Sequence, residues 1–106
     1  GDYEEVLGRL YSEALVKKFV GKFLADQSFQ LLESSLNAED YDEAFRAAHT
    51  LKGVAQNLSF TKLYRSSHEI TEALRTKDCA LATRLLPTVS QDYEQTVTAI
   101  QSFQSS

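Results

Sequence analysis

Residues 40–58, DYDEAFRAAHTLKGVAQNL, decide the fold. On a helical wheel at about 100° per residue, Ala44, Ala48, Leu51, Ala55 and Leu58 fall within one narrow stripe. Residues three and four apart share a side of a helix, so this stripe is the buried face of an amphipathic helix. Asp40 followed by Glu43 has capping-box spacing and opens that helix, which runs to about Leu58.

The same periodicity extends outward in both directions. Tyr3, Val6, Leu7 and Leu10 predict a short leading helix over residues 3–10. Ser12 followed by Glu13 reads as the N-cap of a second helix, with Leu15, Phe19, Phe23 and Leu24 on one side. Asp26 caps a third, striped by Phe29, Leu32 and Leu36. Ser59 and Thr61 mark a break, after which Leu63, Ile70 and Leu74 define a further helix. Asp78 opens the last, which passes through Leu81, Leu85, Val89, Tyr93, Val97 and Ile100. Pro87 lies inside that pattern and predicts a kink or a split, because it removes a donor and clashes with the preceding turn. The tail after Phe103 is expected to fray. Short connections make successive helices antiparallel neighbours. The expected architecture is therefore all-α: an up-and-down antiparallel four-helix bundle with a short additional N-terminal helix, residues 1–106 forming one domain.

Bulk properties narrow the function. A chain of 106 residues, 42% hydrophobic and 25% charged, has the make-up of a water-soluble bundle with a real core. A net charge of −4 argues against a nucleic-acid partner, which requires a basic face. Cys79 is the only cysteine, so no intrachain disulfide forms, and a reducing, cytoplasmic location is expected. No apolar run approaches the ~20 residues of a membrane span, so no membrane insertion is expected.

His49 does not belong to the buried stripe. It projects well over a quarter-turn from the stripe's centre, with Gly53 and Gln56 beside it on the outward flank. Lys52 lies between the stripe and His49, so its stem can pack while its amine reaches out. Glycine costs a helix about 1 kcal/mol relative to alanine, so its place here asks for a reason. At the fourth position after His49, it removes the side chain that would crowd the imidazole from the next turn. Lysine at the third position puts a mobile cation within reach of anything attached to the ring. Open space and a positive charge beside a nitrogen nucleophile are what a phosphoryl group needs.

The stretch AHTLKGVAQNL, residues 48–58, resembles the phosphoacceptor motif of histidine-containing phosphotransfer (HPt) domains, a histidine followed by x-x-Lys-Gly. His49, Leu51, Lys52 and Gly53 match the motif one by one, and Leu58 matches an apolar position near its end. The helix pattern of most of the chain resembles the family too. One departure is Ser59, where the family commonly has a glycine that would permit a left-handed helix ending. The resemblance implies that His49 accepts a phosphoryl group from a receiver-domain phospho-aspartate and passes it to another. The partners it implies are response-regulator receiver domains and hybrid histidine kinases. The chain would carry phosphohistidine without a kinase or nucleotide site of its own, and no phosphate-binding glycine loop is present in it. No cofactor and no metal ion of its own are expected. Two other readings share the fold: a non-catalytic helical interaction module, and a histidine domain phosphorylated directly by a kinase ATP-binding domain.

Supporting residues follow from the fold-back. If the hairpin turns about residue 60, Thr71 lies opposite His49, where its hydroxyl could hold a ring nitrogen; an ordinary exposed threonine is the alternative. Gln56 or Glu72 could serve instead. His68 reads as a surface residue, Cys79 as structural or incidental, and Phe19, Phe23 and Phe29 as core. Asp42, Arg46, Lys52, Gly53 and Gln56 project to the side of His49 and form the expected contact face, bordered by residues near Ser12 to Lys18.

Overall fold

The structure is a computed structural model that describes residues 2–58 and 60–105. It consists of five α-helices: α1 (Asp2–Ala25), α2 (Ser28–Asn37), α3 (Tyr41–Asn57), α4 (Thr61–Arg75) and α5 (Cys79–Ser105). No strand occurs among the described residues. Helices α2 to α5 form the expected antiparallel bundle, with α3 packed between α2 and α4, and α4 against α5. No helix is long and apolar enough to cross a membrane, among the described residues.

Three connections are built alike. In each, the third residue past the end of the helix donates its amide back to a carbonyl of the closing turn. Asp40 N–H reaches Ser35 O at 2.9 Å, Phe60 N–H reaches Ala55 O at 2.9 Å, and Asp78 N–H reaches Ala73 O at 2.8 Å. These are Schellman-type endings, which satisfy carbonyls the helix leaves without donors. Glu39 and Lys77 take the left-handed position, with φ of 56° and 62°. Ser59, where the sequence departs from the family's glycine, lies outside the described residues. Both aspartates then cap the helix that follows. Asp40 Oδ1 accepts from Glu43 N at 3.2 Å, and Asp78 Oδ1 from Leu81 N at 3.1 Å. The capping box is completed on one side alone: Glu43 pairs with Arg46, and the Asp40 amide is taken by Ser35. Asp26 acts from just outside α2, its Oδ1 accepting from Ser28 N at 2.9 Å.

Helix α3 is held closely. Its buried residues are Ala44, Ala47, Ala48 and Ala55 around a single large side chain, Leu51. Small residues at a helix contact let neighbouring backbones approach, so α3 is a rigid support for its outward face. Helix α4 buries Ser66, Ser67 and Thr71 against the core. Each hydroxyl donates to a carbonyl three or four residues earlier in α4, among them Ser67 to Leu63 O at 2.5 Å, so no buried donor is left unmet. An aromatic cluster ties the end of α1 to the bundle: Phe23 meets Phe60 edge-on at 5.3 Å and Tyr93 at 5.7 Å, and Phe29 stacks on Tyr93 at 4.5 Å.

Four expectations are corrected. There is no break at Ser12: the leading helix and the second are one continuous α1. Nothing between residues 8 and 16 forbids helix, since a serine–glutamate pair fits a helix interior as well as its start. Phe19 is not core; it is 41% exposed, whereas Phe23 and Phe29 are buried. Pro87 does not split α5. Both Pro87 and Thr83 are exposed, so the Thr83 carbonyl that loses its amide donor faces water. The tail expected to fray is helical to Ser105, whose hydroxyl returns to Gln101 O at 2.9 Å, and Ser106 lies outside the described residues.

Candidate functional site

His49 stands exposed in the middle of α3, one turn past Phe45, with their ring centroids 6.1 Å apart. The buried alanine face behind it fixes the helix, so the imidazole is presented on a stable element rather than on a loop. No hydrogen bond to the imidazole occurs among the described residues. Both ring nitrogens are open to a partner.

Two cations share the outward side of α3, and they differ. Arg46 donates to Glu43 Oε2 at 2.6 Å, and that hydrogen bond is the main reason its guanidinium is held above its usual range, with the Glu43 charge adding to it. Lys52 is half-buried and forms no ion pair among the described residues. The lysine one turn from His49 therefore keeps its charge available to a newly attached anion.

Gly53 has open space where a side chain would begin. A methyl group built on its Cα would meet nothing within 4 Å. Close packing against a neighbouring helix is thus not the reason for glycine here. The open space lies beside His49. A helical side chain leans toward the helix N-terminus and covers the turn before its own Cα, so any larger residue at 53 would lean over the turn that carries the imidazole.

From α4 comes an arrangement that the sequence reading missed. The Arg75 guanidinium lies over the Phe45 ring, 5.0 Å from its centroid, and its Nε donates to Glu72 Oε1 at 3.3 Å. A cation is thereby held on the aromatic neighbour of His49. A signal for it existed: the hairpin register that pairs 49 with 71 also pairs 45 with 75.

Thr71 is not available to His49. It is fully buried, and its hydroxyl donates to Ser67 O at 2.5 Å inside α4. Glu72, the alternative on that helix, is engaged with Arg75. Gln56 is exposed on α3 two turns after His49 and has no hydrogen bond among the described residues. His68 is exposed on α4 and stacks on Tyr64, the centroids 6.1 Å apart. Cys79 is half-buried at the start of α5.

Two grooves flank this side of α3. One runs between α2 and α3, with Gln30, Leu31 and Ser34 facing Glu43, Arg46 and Thr50. The other runs between the start of α3, the end of α4 and the start of α5, lined by Tyr41, Asp42, Phe45, Leu74, Arg75 and Cys79. Residues 12–18 do not border the face as expected. They lie on α1, whose buried residues are Val20 and Phe23 alone, and α2 takes the bordering position.

An exposed imidazole, the open space at Gly53 and a lysine without an ion pair among the described residues thus lie within about one turn of one another on α3. Residues 21–102 match the family model described as Hpt domain. Neither the curated proteins nor the solved structures contain a match to the chain.

Proposed function

This chain belongs to the Hpt domain family, and on that premise we propose that His49 relays a phosphoryl group between receiver-domain aspartates. Membership brings phosphotransfer in two-component signalling, with receiver domains and kinases as the classes of partner. The roles of individual residues are our reading, and the observation that carries them is Gly53: a helix-weakening residue with open space around it, one turn from an exposed histidine.

In this reading a neutral His49 attacks the phosphorus of an aspartyl phosphate in line through Nε2. The new P–N bond forms as the P–O bond to the aspartate breaks, and the aspartate leaves as a carboxylate. Transfer to a second receiver is the reverse. Lys52 neutralises part of the phosphoryl charge on the ring, Gly53 leaves room for the approaching receiver, and Gln56 can offer a hydrogen bond to the ring or the phosphoryl group. Arg75, held by Glu72 and Phe45, adds a positive group from α4 at the edge of the contact face. The two grooves beside α3 give that face its relief, with Leu31 and Phe45 as apolar points inside a polar rim.

The test is to mix the protein with phosphorylated receiver domains, and separately with kinase cores and ATP. Label leaving a receiver and appearing on this chain supports the relay. Label arriving from a kinase core alone favours the direct-phosphorylation reading. Failure of both, across a broad set of donors, favours an interaction module that does not transfer phosphate.

A further inference from the structure

Most apolar residues of α1 fall into two sets of opposite phase, with Leu15 between them and Leu24 at the edge of the first. At about 100° per residue, Tyr3, Val6, Leu7, Leu10, Tyr11 and Ala14 lie on one half of the helix. Val16, Phe19, Val20 and Phe23 lie on the other. Only the C-terminal end of the second set meets the bundle: Val20 and Phe23 are buried, Phe23 packing on Phe60 and Tyr93, whereas Val16 and Phe19 are exposed. Because α1 is one continuous helix, seating that half on the bundle turns the first half away. Residues 2–14 of α1 are exposed throughout, and Tyr3, Leu10 and Tyr11 are 76%, 52% and 68% exposed. An apolar stripe of this length in water marks an interaction surface.

The charges say what covers it. Residues 2–13 hold Asp2, Glu4, Glu5 and Glu13 against Arg9 alone, whereas residues 14–25 hold Lys17, Lys18 and Lys22 and no acid. The helix is acidic at its start and basic toward its end. Two copies laid side by side in parallel would set acid beside acid and lysine beside lysine. Laid antiparallel about a point near Leu10, they bring Leu7 of each copy toward Ala14 of the other. The same register sets Asp2 and Glu4 beside the other copy's Lys17 and Lys18. The complementarity is closed and two-fold, as an isologous dimer requires. We propose that α1 is a dimerisation helix, pairing antiparallel with α1 of a second copy through Tyr3, Leu7, Leu10 and Tyr11. His49 lies on α3 and takes no part in this contact.

Sedimentation equilibrium of the chain tests this over a range from about 5 to 500 µM, the window expected for an interface at the small end of stable areas. The expected result is a mass rising from 11.9 kDa toward twice that value, with less dimer as salt is raised. Leu10→Glu should hold the protein at the monomer mass at every concentration, with the circular dichroism and melting temperature of the dilute wild-type monomer. Lys17→Glu with Lys18→Glu should also abolish the dimer, as should Asp2→Lys with Glu4→Lys, and mixing these two variants should restore a dimer. A wild-type monomer throughout the range would overturn the proposal. So would a dimer indifferent to Leu10→Glu, or a monomer whose melting temperature Leu10→Glu lowers, since the stripe would then be covered by the chain's own bundle.

Discussion

Gly53→Ala and Gly53→Gln together separate what the glycine does for the fold from what it does for transfer. Gly53 lies in the interior of α3, two residues before Ala55, the last of its buried alanines, and four before the helix ends at Asn57. Glycine in a helix interior is less favourable than alanine by about 0.8–1 kcal/mol. The usual objection, that an added Cβ would clash, does not apply, since nothing lies within 4 Å of it. Gly53→Ala should therefore stabilise the protein by about 1 kcal/mol, which for a domain of this size raises the melting temperature by roughly 4–8 °C. Gly53→Gln should recover part of that gain while placing a long side chain over the turn that carries His49. If obstruction costs the receiver complex about 1.4 kcal/mol, transfer slows about tenfold. Thermal unfolding by circular dichroism and a time course of label transfer read the two quantities. A destabilised Gly53→Ala would show that the glycine is needed for packing. Wild-type transfer by Gly53→Gln would remove steric access as its role.

Lys52→Ala should slow phosphotransfer by about 10- to 100-fold, the equivalent of one charge-assisted hydrogen bond, while the melting temperature changes little; transfer kinetics beside a melting curve check it. Arg75→Ala should weaken receiver binding by a few-fold and leave the labelled residue the same, because Arg75 lies on the contact face through Phe45 rather than on the imidazole; a receiver titration followed by NMR reads this. Glu39→Gly and Lys77→Gly should each stabilise the fold by about 0.5–1 kcal/mol, since both positions carry positive φ that side chains resist; chemical denaturation measures it.

The parts legible in the sequence were those fixed by local chemistry. Asp40 and Asp78 cap the helices they were read to open, and Ala44, Ala48, Leu51 and Ala55 are buried, with Leu58 half-buried and His49 exposed. The parts misread depended on longer range. Ser12 followed by Glu13 reads as an N-cap, yet the same pair fits a helix interior, and α1 runs through it without a break. Thr71 was located at the right height by the hairpin register, but height does not fix facing. Its neighbours Ile70 and Leu74 turn that part of α4 inward, and a small hydroxyl side chain can be buried as readily as exposed once a backbone carbonyl accepts from it. The Glu72–Arg75–Phe45 contact joins two helices, and neither helix's own pattern indicates it.

The central claim is that His49 carries the phosphoryl group. After incubation with a phosphorylated receiver domain, the modified residue is mapped by mass spectrometry under neutral conditions, with the acid lability of the label measured in parallel. The account predicts an acid-labile, base-stable phosphoryl group on His49 and no label on His49→Gln. Label on His68, or undiminished label on His49→Gln, would contradict it.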